Sequence, residues 1–123
     1  MRFSDQLNLD KFLEIMDAQE YPLFGITAEK DEYESNESFF VYSKEGAIRP
    51  AIENHNQYLK EFTLSFFTKG NAEIDVLGIA EQLKKARLRF TGTDIEEGEF
   101  ADTGQRAKMT TLNFVHVIKV CEV

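Results

Sequence analysis

Residues 58–68 read Tyr58-Leu59-Lys60-Glu61-Phe62-Thr63-Leu64-Ser65-Phe66-Phe67-Thr68. Phe62, Leu64 and Phe66 project to one side of an extended chain, and Thr63 and Ser65 to the other. A period of two residues is the mark of a strand with one apolar face. The stretch therefore fixes a sheet at the centre of the fold, and its neighbours are read outward from it.

Downstream, Lys69-Gly70-Asn71 reads as a turn, with Asn71 placed to cap a helix. That helix is predicted over 72–90. At about 100° per residue, Ala72, Val76, Ile79, Ala80, Leu83, Ala86 and Phe90 fall within an arc about 120° wide that should face the core. The remainder reads as a hairpin, with one arm near 93–101, a turn at Asp102-Thr103-Gly104-Gln105, and a second arm over 106–121. At roughly 3.3 Å per residue that second arm spans roughly 50 Å. This exceeds the usual three to ten residues of a strand. It is expected to bend sharply or to project and offer unpaired N–H and C=O groups to a neighbour.

Upstream, a helix is predicted over 8–19. Asn8 caps it, and Leu9, Phe12, Leu13 and Met16 form its apolar stripe. Pro22 closes the region. A short strand follows over 23–27, then an acidic stretch from Glu29 to Glu37 that reads as a solvated loop. Phe39-Phe40-Val41-Tyr42 is aromatic and β-branched and reads as a strand. The polar segment 43–56, with Gly46, Pro50 and Asn54-His55-Asn56, reads as a long loop of the kind that often carries function. The expected fold is one α+β domain over 1–123. It has a mostly antiparallel sheet of four to five strands, two helices packed on one face, and the order α-β-β-β-α-β-β.

The chain has 123 residues and a formal net charge of −8. A grip on nucleic acid needs Lys and Arg to displace counterions, so this balance argues against one. It argues equally against docking on an anionic membrane. It is compatible with DNA that passes without being held. Cys121 is the only cysteine, which leaves no disulfide framework. The N-terminal residues lack the apolar core of a secretory signal, and no apolar run approaches a membrane span. A reducing cytoplasm is the expected setting.

The reactive side chains form no recognisable chemistry. His55 reads as an exposed loop residue. His116 stands on a strand face with Leu112, Phe114, Ile118 and Val120, and reads as a packed, hydrogen-bonded histidine. Cys121 lacks the base and scaffold a nucleophile needs. Asp31, Glu32 and Glu34 do not follow the calcium-loop pattern. Thr91-Gly92-Thr93 follows a helix instead of preceding one, the wrong order for an anion cradle. Lys84, Lys85, Arg87 and Arg89 read as a solvated helix face. Glu96, Glu97 and Glu99 read as a solvated strand face, or as an acidic wall that repels a passing polyanion. The expectation is a protein that is not an enzyme, with no metal and no cofactor.

The informative feature is apolar surface beyond what one core needs. Ile74, Leu77 and Leu88 lie about 140° from the helix core stripe by the same arithmetic. Residues 39–42 and 114–118 are apolar on both strand faces, where a sheet covered on one side should be polar on the other. Ile74, Leu77, Leu88, Phe40, Tyr42, Val115 and Val117 are accordingly expected to form subunit contacts, unless a second layer of the same chain covers them.

The segments Pro22–Ile26, Ser38–Tyr42, Glu61–Asn71, Val76–Phe90 and Arg106–Val120, taken in that order, resemble the tail terminator and head–tail joining proteins of long-tailed bacteriophages. The resemblance spans nearly the whole chain and rests on arrangement, not on a signature motif. It implies a ring, usually of six copies, that caps the tail tube and meets the head connector, with DNA passing through the hole. It implies assembly into the virion within the host cytoplasm, with no enzyme activity and no cofactor. Glu96, Glu97 and Glu99 would then line the channel. Another neck or minor capsid protein of the same fold is the nearest alternative. A small cytoplasmic module that binds a ligand or peptide on an apolar sheet face is the more distant one.

Overall fold

The computed structural model describes residues 2–25, 35–53, 55–99, 104 and 106–121. The elements run β1 (Arg2–Asp5), α1 (Leu9–Asp17), β2 (Leu23–Gly25), β3 (Ser38–Ser43), β4 (Ile48–Pro50), β5 (Gln57–Thr68) and α2 (Val76–Leu83). A 3-10 turn (Lys84–Ala86) then leads to β6 (Arg89–Glu99) and β7 (Arg106–Cys121).

The centre is an antiparallel ribbon of β5 and β7, in register from Gln57 opposite Lys119 to Thr68 opposite Lys108. Each outer edge of the ribbon is shared by two shorter partners. On the β7 side, β6 pairs with residues 106–115 and β1 with residues 118–121. On the β5 side, β3 pairs with residues 63–68 and β4 with residues 58–60, and β2 joins β3 in parallel.

This corrects the expected sheet. Strands hold 52 % of the described residues, and they form one curled, mixed sheet of seven strands. The expected sheet had four to five mostly antiparallel strands with two helices on one face. The two additions, β1 and β4, are too short to show periodicity. β4 also ends on Pro50, which cannot donate to a ladder and so belongs at an edge. β4 lies inside the segment expected to be a loop. Gly46 packs so closely on β5 there that a side-chain carbon would overlap the Glu61 carbonyl. The segment is thus bound to the sheet by backbone contact.

β7 neither projects nor offers a free edge, because β5 lies along one side and β6 and β1 divide the other. The sixteen-residue length is used to carry two sets of neighbours. The turn expected at 102–105 lies outside the described residues except for Gly104, whose φ of 67° is the left-handed conformation of a turn glycine. The expected acidic loop lies outside them from residue 29 to 34.

The helices show where side-chain periodicity succeeds and where it fails. Asn8 caps α1, its Oδ1 accepting the Lys11 N–H at 3.0 Å. α2 is capped by Asp75 and not by Asn71, with Oδ1 accepting the Gly78 N–H at 3.0 Å. α2 also stops early. Arg87 adopts φ 67°, the Leu88 N–H bonds the Leu83 carbonyl at 3.2 Å, and the Arg87 N–H bonds the Lys84 carbonyl at 2.9 Å. These are the two hydrogen bonds of a Schellman stop, which commonly brings an apolar residue just past the helix against its last turn. Leu88 is that residue, and it packs in the core with Leu83.

The core joins Phe12, Ile15 and Met16 of α1 and Ile79, Ala80 and Leu83 of α2 to Phe62, Leu64 and Phe66 of β5 and Leu112 and Phe114 of β7. Phe12 meets Phe62 edge to face at 4.9 Å. The opposite sheet face holds a smaller aromatic group. Phe39 stacks on Phe67 at 5.3 Å and meets Phe24 at 5.8 Å, which accounts for the doubly apolar reading of β3.

Candidate assembly surface

The seven residues expected at a subunit contact do not share a surface. Leu88 is 1 % exposed and belongs to the core, because the Schellman stop takes it out of the helical phase used to place it. Phe40 is likewise 1 % exposed and meets Phe66 at 5.0 Å. Val115 is buried as well. These three are corrected to protomer interior. Tyr42 and Ile74 are half-buried and pack against the core, and Val117 is half-buried. Only Leu77 of the seven stands in solvent, at 70 % exposed.

Leu77 opens onto a groove between α2 and the start of β6, about 680 Å³ in volume. Its apolar lining comes from Leu77, Ala80, Leu88 and Phe90, and its charged lining from Glu81, Lys84, Arg87 and Arg89. The one acid is already engaged, since Lys84 Nζ stands 2.9 Å from the Glu81 carboxylate. Arg87 Nη1 donates to Gln6 Oε1 at 3.0 Å. The Arg89 side chain has no partner among the described residues. The groove is therefore cationic in a chain whose net charge is −8.

The basic cluster at 84–89 does not form the single solvated helix face expected of it. It is instead spread over a 3-10 turn, a left-handed residue and the first residue of β6. That break in the backbone gathers the cations around a concavity. Helical periodicity had no means of showing this.

Beyond Arg89 and Phe90, β6 becomes acidic and wholly exposed from Asp94 to Glu99. Glu96, Glu97 and Glu99 do not form one wall. Successive strand residues alternate faces, and Glu96 stands opposite Met109 while Glu97 and Glu99 stand opposite Lys108 and Arg106. Cross-strand partners share a face, so Glu96 points away from the other two. Ile95, opposite Thr110, shares the face of Glu97 and Glu99 and is 61 % exposed. Sequence reading missed it because a single isoleucine among acids gives no periodic signal.

A second apolar area covers the far end of the ribbon. Phe3 and Ile48 are exposed there, beside half-buried Tyr58 and Ile118. His116 closes the inner end of this area and is 2 % exposed. Asp5 Oδ1 lies 2.9 Å from its Nδ1. The contact is not aligned with a ring N–H, and neither ring nitrogen has a satisfied hydrogen bond among the described residues. The packed histidine is observed, with the Asp5 carboxylate at hydrogen-bonding distance from Nδ1. Burial lowers the His116 pKa from its ordinary value, the Asp5 carboxylate opposes that, and the Lys60 ammonium adds to it.

His55 and Cys121 are exposed. Among the described residues no three His, Cys, Asp or Glu side chains stand together as a metal site, and no helix is long and apolar enough to cross a membrane. No protein-family model matches the chain, and no curated protein matches it in sequence.

Proposed function

We propose that the chain is a structural subunit that works by assembling with other copies of itself. Its place is the head–tail junction of a long-tailed bacteriophage. A ring of copies, six in the proteins it resembles, caps the tail tube and meets the head connector while DNA passes through unheld. The observation that carries this reading is the pair Leu77 and Ile95, two large apolar side chains left in solvent on either side of a charge boundary. Isolated exposed apolar residues need no explanation, but Leu77 belongs to an apolar groove with a mostly basic rim, and an apolar patch rimmed by polar groups marks a contact surface.

Of the segments on which the resemblance rests, Val76–Phe90 is helical only to Leu83 before the 3-10 turn and the start of β6, and the others fall on β2, β3, β5 and β7. The net charge of −8 suits a channel component that must release a polyanion. A virion component assembled in the host cytoplasm follows from the same reading.

The test is a deletion of the gene from the phage genome that carries it, followed by electron microscopy of lysates. Filled heads beside unjoined tails of irregular length are expected. Joined particles of normal length in the absence of the chain would overturn the proposal.

A further inference from the structure

We infer that the groove between α2 and β6 receives residues 94–99 of a second copy of this chain. The inference rests on the self-assembly reading above and names the two surfaces that meet.

Charge complementarity selects the occupant. The groove presents Lys84, Arg87 and Arg89 around an apolar floor, with Glu81 offsetting Lys84 and leaving the two arginines as the excess charge. Its partner must be anionic and must carry an apolar side chain between its charges. Residues 94–99 have that chemistry. Ile95, Glu97 and Glu99 project from one face of β6, with Asp94 and Glu96 on the other. Every one of these side chains is exposed, with Glu97 3.9 Å from Arg106 and Asp94 accepting from Asn113 Nδ2 at 3.0 Å on the neighbouring strand.

The backbone of β6 is open as well. β6 pairs with β7 alone, so its other edge has no ladder partner among the described residues. An open edge flanked by acids avoids pairing with its own kind, because like charges would face each other. It is available to a cationic surface.

The two surfaces cannot meet within one protomer. Phe90, which lines the groove, and Glu97 are seven residues apart on the same extended strand, about 23 Å at the usual rise. The groove of one copy therefore takes the strand of the next, and that copy's groove remains free for a third. Such a head-to-tail contact uses two different patches and closes into a ring when its rotation divides a full turn. Because the contact pairs charges near the surface, it should weaken as salt rises.

A charge swap tests the pairing. The groove variant carries Lys84→Glu and Arg89→Glu, and the strand variant carries Glu97→Lys and Glu99→Lys. All four side chains are exposed, and circular dichroism checks that each variant folds. Self-association is measured by sedimentation velocity over a wide concentration range, with and without purified tail tubes.

The wild type should assemble. Each variant alone should associate at least about tenfold more weakly, and an equimolar mixture should recover assembly because an acidic groove now meets a basic strand. If the wild type assembles and the single variants match it, the pairing is wrong while the self-assembly reading stands. Loss in both variants without recovery on mixing also overturns the pairing. A wild type that stays a single protomer at every concentration, and on tail tubes, overturns both. Binding of a short DNA duplex that only the groove variant loses would reassign the groove to a polyanion.

Discussion

The β5–β7 ribbon and the α2–β6 rim, which lies between the ribbon's two strands in sequence, are built on opposite plans. The ribbon saturates its strand edges. Both long strands are paired on both edges, and Phe62, Leu64, Leu112 and Phe114 are buried between sheet and helices. The rim leaves its bonding capacity open, with Leu77 and Ile95 in solvent, cations gathered at one end of β6 and acids at the other, and one strand edge without a partner. The difference separates what holds a protomer together from what remains for a neighbour. Leu88 marks the boundary, since it lies in the sequence beside the rim residues and in space with the core.

That boundary can be broken by substitution. Leu88→Ala should cost about 2–5 kcal/mol, the range for deleting a buried leucine. Leu77→Asp should stay within about 0.5 kcal/mol of the parent, as surface changes do. Urea midpoints at constant slope measure both. Similar losses at the two positions would place Leu77 in the interior and remove the distinction.

The ribbon's own weak point is His116. Its folded pKa lies below the ordinary value of 6.5, so on acidification the unfolded chain takes up a proton before the native chain does. Stability is then fully present above about pH 6.5 and declines as pH falls through the folded pKa. His116→Leu should remove that part of the pH dependence from a series of thermal melts. Asp5 on β1 and Lys60 on β5 are the charged groups facing the ring, so Asp5→Asn should steepen the decline by removing the one interaction that favours the charged ring. An unchanged profile in His116→Leu would assign the acid sensitivity to other groups.

Arg87 sharpens the comparison from the turn between the regions. A side chain in the left-handed region costs about 1–2 kcal/mol, and glycine relieves most of it. Arg87→Gly should therefore raise stability by about 1 kcal/mol, less the contact to Gln6. A loss instead would show that this contact outweighs the backbone conformation. The smallest effect belongs to the acidic end of β6. Replacing Glu96, Glu97 and Glu99 together by Gln should change stability by under about 1 kcal/mol, because exposed charges contribute little. A larger loss would show that the 3.9 Å contact of Glu97 with Arg106 contributes more than an exposed pair should.

The sequence was legible wherever periodicity decides the outcome. Phe62, Leu64 and Phe66 alternate, and they do share the inward face. Phe12 and Met16 keep helical spacing, and both are buried. Legibility failed where backbone events reset the phase. The left-handed Arg87 turned Leu88 from the expected outer face into the core. The short edge strands β1 and β4 carried too few residues for any pattern. Of the expected contact surface, Leu77 alone was placed in solvent as read. The groove around it was hidden because cations scattered over three kinds of backbone show their convergence only in three dimensions.

The central claim is that this rim is left open for another copy, and Leu77→Asp tests it most directly. Sedimentation of the wild type and the variant at matched concentration, with tail tubes present, should show an assembly for the wild type and a folded single protomer for the variant. Equal assembly of the two would contradict the claim.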